Sequence, residues 1–422
     1  LNFQNELKKQ LNGHLKMIDG CESLNSCLVC NNTDIKEVVD LGTQPLANSF
    51  LDKPERDPRY PLRVNACDKC SHLQLSHAVD PKLMYNHYLY RSGTTNTYKE
   101  YMKRFAKLSV ERYYNMYNKV PSTVLDVGCN DGTQLDQYKA LGLTTYGVDP
   151  AENLYQYSSK NHTVIQDYFR DDVRFFEQEH FDIIVMQNSF AHQSNPQRFM
   201  EDLRDVMHNN SLLYIQTSQA DMVRNNEFDT IYHEHVNFYC ANSMKHLVEQ
   251  AGLTIVDIKK QSIHGTSYVF VISRDISKRN DRVIEQYLAE EQQINTMPVY
   301  EDWAQAIYQV REDYLDLLHL RRGTRMVGYG AAAKGNTFLN FCDWGLEYII
   351  DDNELKQGKF TPGLHIPIRP IKHLEKINQG QAVTFVPLAW NFFDEIKERI
   401  KKVRNNPDDR FVRYFPKAEL SQ

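Results

Sequence analysis

The chain has 422 residues, long for one core; at roughly 100–200 residues per domain it should divide into two to four. Charged residues at 25% and apolar residues at 41% fit a folded chain and exclude a disordered one. A formal net charge of -6 argues against a broadly basic nucleic-acid surface, and no run approaches the ~18 apolar residues of a spanning helix or the h-region of a secretory leader.

A cytoplasmic protein without nucleic-acid or membrane partners is expected, as a monomer or small homo-oligomer. The first 24 residues read as an N-terminal extension or tag remnant. Five of the eight cysteines fall early: Cys21, Cys27, Cys30, Cys67 and Cys70. Cys129, Cys240 and Cys342 stand alone, so a disulfide scaffold is excluded. The runs C-L-V-C and C-D-K-C are two C-x2-C pairs with 36 residues between the inner cysteines Cys30 and Cys67. Two such turns can close a tetrahedral S4 site, and four thiolates favour structural zinc with no open coordination position. Cys21 is not expected as a fifth ligand, and His72 and His77 could support the ligands from behind but read better as satisfied surface histidines. The loop P-L-A-N-S-F at 45–50 and the Pro-rich 54–61 lie between the pairs, and this module is expected over 25–85.

Tyr85, Tyr88 and Tyr90 crowd ahead of S-G-T-T, where they either line a polar pocket or pack the small module on its neighbour. Tyr98, Tyr101, Met102, Phe105, Leu108 and Arg112 recur at helical spacing. The run T-V-L-D-V-G-C-N-D-G at 123–132 then reads as a strand, a Gly turn and the start of a helix. A second strand, T-T-Y-G-V-D, ends in Asp149, placed to accept the two hydroxyls of an adenosine ribose. Asn130 stands where a dinucleotide fold wants its second glycine, so a pyrophosphate fits poorly and a cationic adenosine ligand such as S-adenosylmethionine fits better. The cofactor candidates are Asp126, Gly128, Cys129, Asn130 and Asp149, with Asp167 after a third strand and Asn188 at the end of the strand 181–188. His192 follows on the same rim, and 212–217 is the fifth strand of a domain expected over 86–275.

The segment N-E-F-D-T-I-Y-H-E-H-V-N-F-Y at 226–239 concentrates titratable groups. H-E-H lacks the spacing of a helical metal pair, so proton handling is the better reading, set against a merely buried, hydrogen-bonded turn. His264, in I-H-G-T, adjoins the apolar run 267–272 and reads as a substrate contact. Residues 281–322 form amphipathic helix interrupted near Pro298. R-M-V-G-Y-G, A-A-A-K-G-N-T-F-L and L-E-Y-I-I-D-D then repeat the order strand, Gly turn, helix and acidic strand end. G-Y-G-A-A-A-K-G carries neither a dinucleotide fingerprint nor a Walker ending. Lys334 there could meet a diphosphate or merely cap solvent, and Asn391 is a further binding candidate beside a packing Trp390. A Rossmann-like domain is expected over 276–412, with a tail at 413–422.

Taken together, the four cysteines, D-V-G-C-N-D-G, Y-H-E-H, I-H-G-T and G-Y-G-A-A-A-K-G resemble the sugar C-methyltransferase family over roughly residues 25–412. The resemblance implies a zinc-binding module, a class I S-adenosylmethionine domain and a C-terminal Rossmann-like domain. It implies methyl transfer, usually at C3, to a dTDP-type or similarly linked 4-keto deoxyhexose. It implies His235 as general base, Glu234 and His192 as assistants, and Tyr232 with Tyr88 or Tyr90 positioning the sugar or stabilising an enolate. Cys129 departs from the family's usual Ser, and A-H-Q-S-N-P around His192 departs from its A-H-V-x-D trend. The competing readings are an NAD-dependent nucleotide-sugar oxidoreductase or epimerase and a nonenzymatic zinc adaptor.

Overall fold

The computed structural model describes residues 20–170, 180–263 and 265–422. His264 therefore lies outside the described residues.

In the first module, β1 (Cys21–Ser23) pairs antiparallel with β5 (His77–Val79), drawing residues of the expected extension into the fold. β2 (Ile35–Pro45), β3 (Arg59–Cys67) and β4 (Leu73–Leu75) form an antiparallel sheet. Alternation along β3 buries Tyr60, Leu62, Val64 and Ala66 on one face. That face does not close on itself. Val39, Leu41, Leu62 and Val64 share one core with Trp303, Ile307 and Phe338 from the far end of the chain. A sheet this small buries too little surface alone, and each such side chain contributes ~1.5–3 kcal/mol when covered.

The central domain is built on β6 (Thr123–Val127), β7 (Thr144–Val148), β8 (Thr163–Ile165), β9 (Phe181–Gln187) and β10 (Met207–Thr217), all parallel. β11 (Asn237–Phe238) leaves this domain and adds an edge strand beside β4. β12 (Thr254–Gln261) and β13 (Ser267–Ser273) complete the large sheet in the order β12-β13-β10-β9-β6-β7-β8, with β13 antiparallel to both neighbours. This is the class I methyltransferase order. Its helix over Asn96–Tyr117, capped by Thr95, buries Tyr98, Tyr101, Met102 and Phe105, four of the six residues whose spacing predicted it.

Two helices, Asp281–Glu291 and Met297–Leu320, lead to the third domain, and Pro298 sits in the first turn of the second. There β14 (Arg325–Tyr329), β15 (Tyr348–Ile350), β16 (Ile368–Arg369), β17 (Val383–Pro387) and β18 (Arg410–Arg413) are parallel, and β19 (Glu419–Ser421) pairs antiparallel with β18. The order β16-β15-β14-β17-β18-β19 is Rossmann-like. Residues assigned to a tail thus close this sheet, because the ladder from Phe411 to Arg413 would otherwise face water unpaired. Among the described residues, no helix is long and apolar enough to cross a membrane.

Candidate active site and metal site

The four cysteines of the paired motifs converge: the Sγ atoms of Cys27, Cys30, Cys67 and Cys70 lie within 4.8 Å of one another. Cys27 and Cys70 are 3.5 Å apart and Cys30 and Cys67 3.6 Å, and no pair is bridged. Zn–S bonds of about 2.3 Å give tetrahedral S···S edges of about 3.8 Å, so the set fits a structural zinc. Cys21 stays outside the cluster. His72 departs from its sequence reading, for it is fully buried. Its Nε2 meets Asn237 Oδ1 at 3.0 Å, and Asn237 donates to the carbonyls of Gln193 (2.6 Å) and Ala191 (3.4 Å) on either side of His192. The metal turn is therefore tied to the rim loop that carries His192.

At the end of β6 the chain turns through Gly128 at φ 84. A Cβ there would lie 2.7 Å from Ser189 Cβ, so both conformation and space require glycine. Asp149 accepts from Asn130 N at 2.8 Å and from Ala151 N at 2.9 Å, which fixes both of its oxygens at the mouth of the turn. Buried Asp126 lies beside Asp149 and Asp131, and burial together with these two charges pushes its carboxyl up to about 8. Three acids against one cation, Arg91 with its Nε 3.6 Å from Asp131 Oδ2, suit a ligand bearing an ammonium and a sulfonium and disfavour a pyrophosphate. The turn therefore fits S-adenosylmethionine.

Other cofactor candidates are placed differently. Cys129 points behind the turn: its Sγ would be 2.7 Å from a Cβ built on Gly147, so its backbone alone borders the mouth. The Asn130 amide binds the preceding segment, accepting from Ser92 N and donating to Tyr90 O. Asp167 pairs with Arg170 at 2.6 Å and caps Tyr168 N. Asn188, in the left-handed region at φ 59, donates to Tyr98 Oη at 3.5 Å and accepts from Gln216.

The titratable residues read for proton handling gather beside the 85–93 segment. Residues 231–236 form a tight turn, so H-E-H is neither helix nor strand. His233 faces the first module, bonding Tyr60 O at 3.3 Å. His235 Nδ1 lies 2.8 Å from the Thr230 carbonyl, which only accepts. The ring proton is therefore on Nδ1, and Nε2 keeps its lone pair, 3.1 Å from the Tyr232 hydroxyl. His192 stacks on His235 at 5.4 Å and on Tyr85 at 5.2 Å. Burial pulls His192 down to about 4, which keeps it neutral near pH 7. Tyr88 donates to Glu234 Oε2 at 2.7 Å, while Tyr90 sits edge-on to Tyr88 at 6.3 Å and is partly exposed. Tyr88 and Tyr90 thus line this cluster, and the Tyr90 carbonyl is held by Asn130. One short segment joins the glycine turn to the cluster around His235.

Sequence reasoning missed four residues here: Asn48, Tyr85 as a ring stacked on His192, Thr230 and Lys356. Asn48 donates to Glu234 Oε1 at 2.7 Å from the loop P-L-A-N-S-F. Lys356 is buried and donates to the Ala331 carbonyl at 2.8 Å. Nothing in composition or periodicity marks either residue.

In the C-terminal domain, Asp351 accepts from Ala331 N at 2.7 Å, just as Asp149 does at the first turn. With Lys356 on the Ala331 carbonyl, the second Gly turn is satisfied by its own chain. Lys334 does not cap solvent. Its Nζ lies 3.8 Å from Asp229 Oδ1 and 3.9 Å from Glu227 Oε2, so two carboxylates already offset the charge a diphosphate would use. Asp229 also accepts from Trp390 Nε1 at 2.7 Å and Tyr414 Oη at 2.8 Å, whereas Asn391 is exposed.

Three family models match the chain in succession: a zinc binding domain at 27–85, a methyltransferase domain at 98–258 and a C-methyltransferase C-terminal domain at 262–416. The C-methyltransferase NovU of Streptomyces niveus is 28% identical over 96% of this chain and 98% of its own length. The ubiquinone biosynthesis O-methyltransferase of Coxiella burnetii is 26% identical over 36% of this chain and 73% of its own. Among solved structures, the plantazolicin methyltransferase BpumL in complex with SAH shares 16% identity at a TM-score of 0.34, covering 41% of this chain and 84% of that one.

Proposed function

We propose that this chain, which belongs to the C-methyltransferase family, methylates the carbon beside the ketone, C3, of a nucleotide-linked 4-keto deoxyhexose in the cytoplasm. The observation that carries the reading is His235: its Nδ1–H is held by Thr230, and its Nε2 lone pair faces a cluster of phenols. The ketosugar class and a dTDP-type nucleotide follow from the motif resemblance.

S-adenosylmethionine, when bound, supplies an electrophilic methyl group on a sulfonium sulfur. Asp149 would hold its ribose and the Asp126 region its cationic end. The remaining chemistry belongs to the chain. His235 Nε2 takes the proton from C3; the C–H electron pair moves into the C3–C4 bond and the carbonyl π pair onto oxygen. Such a hydrogen is acidic only where the growing oxyanion meets fixed donors. The Tyr232 hydroxyl, which donates to Nε2 here, turns to the sugar oxygen once carbon occupies that place. The C3–C4 pair would then form the bond to the methyl group that the donor supplies, and the carbonyl would re-form at C4. Neutral His192, stacked on His235, adds no positive charge that would depress its basicity. Tyr85, Tyr88 and Glu234 wall the pocket.

The test is a panel of dTDP-linked 4-ketosugars incubated with methyl-labelled S-adenosylmethionine, with the new carbon located by NMR. Label at C3 is expected. Label at C5 refutes the position, and no transfer across the panel by protein that binds the methyl donor refutes the substrate class.

A further inference from the structure

Glu234 is the point where all three domains meet. Its Oε1 receives Asn48 Nδ2 from the zinc module at 2.7 Å, and its Oε2 receives the Tyr88 hydroxyl from the connecting segment at 2.7 Å. The third contribution is a cation. Lys356 comes from the turn after β15, is buried, and lies 4.8 Å above the ring of Phe50, two residues from Asn48. Its Nζ is anchored on the Ala331 carbonyl at 2.8 Å, and its charge acts on Asp351 and Glu234. The loop that carries Asn48 is in turn fastened to the same domain: Asn336 Nδ2 donates to the Ala47 carbonyl at 2.8 Å, and Leu51 and Phe360 form a β-bridge. The turn after β15 thus holds a buried lysine beside the loop that carries Asn48.

We propose that Asn48 and Lys356 are positioning residues that hold Glu234 as an oriented carboxylate, so that each flanking domain completes the proton-handling site. The inference rests on the reading of that site given above. A carboxylate this deeply buried is disfavoured by desolvation, and Tyr88, Asn48 and Lys356 oppose that effect in that order. The other titratable groups facing it, Tyr85 and Tyr232, are neutral phenols held far above their ordinary range by burial. Lys356 is thus the positive group that favours ionised Glu234. An ionised, two-handed Glu234 fixes the Tyr88 hydrogen on itself and leaves the Tyr88 oxygen to accept from a sugar hydroxyl.

Difference infrared spectroscopy of the full chain, needing no substrate, reads the protonated-carboxyl band assigned by Glu234→Gln. The sign is fixed: removing a nearby cation raises the pH at which Glu234 ionises. Lys356→Met is expected to move the midpoint up by about one pH unit. Lys356→Arg restores it, and Asn48→Ala, which leaves the lysine in place, moves it in the same direction. Unchanged S-adenosylmethionine affinity checks that each variant folds. An unmoved midpoint in both Lys356→Met and Asn48→Ala overturns the inference. A second arm follows deuterium entry at C3 of a dTDP-linked 4-keto-2,6-dideoxyhexose in heavy water with S-adenosylhomocysteine. The acid limb of exchange should follow the infrared midpoint, with kcat changed and KM held. A shifted midpoint with no exchange in the unmodified protein refutes the reaction reading and leaves the positioning role supported.

Discussion

Replacing His235 by asparagine isolates the base from its support. Asparagine carries an N–H at nearly the place of Nδ1, so the 2.8 Å bond to the Thr230 carbonyl is kept. Only the lone pair at Nε2 is lost. Positioned general bases contribute about 10²–10⁴ in rate. At ~1.4 kcal/mol per factor of ten this is about 3–5 kcal/mol of barrier. His235→Ala removes the same base but also leaves the buried Thr230 carbonyl without its donor, at a stability cost of about 1–3 kcal/mol. The two variants should therefore be equally slow, and Ala alone should melt earlier. Single-turnover transfer from labelled S-adenosylmethionine to a 4-ketosugar, with the dissociation constant of each ligand measured beside it, gives the rate without the binding contribution. If His235→Asn turns over within tenfold of the unmodified protein, His235 is not the base.

The metal module should hold one zinc per chain by elemental analysis, and Cys67→Ser should lose it. Because Asn48 and the His72–Asn237 link depend on that module, the same variant should lose turnover as well as thermal stability. Retained activity in metal-free protein would sever the module from the active site. At the glycine turn, Asp126 ionises only near pH 8 in the free chain. A bound cation favours its charged form and lowers that value, so methyl-donor binding releases a proton and tightens as pH rises toward 8, then levels. Calorimetry in buffers of different ionisation enthalpy reads that proton; binding independent of pH between 6 and about 8 would contradict the acid cluster.

Much of this protein is legible without coordinates because its chemistry is written locally. Two C-x2-C turns each carry half of a tetrahedron, so their convergence at 3.5 and 3.6 Å needed only a sheet to join them. A strand, a Gly turn, a helix and an acid at Asp149 announce a nucleoside-type site within 27 residues (123–149), and the backbone bonds to that acid follow from the turn itself. The titratable segment around His235 is likewise continuous in the chain.

Local writing also misleads where a side chain's direction is decided from outside. Cys129 and Asn130 belong to the cofactor turn in sequence, yet one thiol packs behind it and one amide turns to the 90–92 segment. Lys334 sits in a glycine-rich run that suggests phosphate, but Glu227 and Asp229, about a hundred residues earlier, reach it first. The register of β19 on β18 turns a tail into a strand.

The sequence by itself determined the three-part order and the thiolate set, and it marked the glycine turn and the titratable segment around His235. Only the tertiary structure decided what surrounds Glu234. Asn48 lies 186 positions before it and Tyr88 lies 146 before it. Lys356 arrives from a third domain. The tyrosine cluster marks Tyr88, but Asn48 and Lys356 belong to no periodic element, so no pattern in the chain marks those two. Their meeting depends on a small sheet too thin to stand alone packing against the helix 297–320 and the C-terminal domain. That burial brings the loop at Asn48 to the carboxylate, and the closed second glycine turn sets the lysine over Phe50 beside that loop.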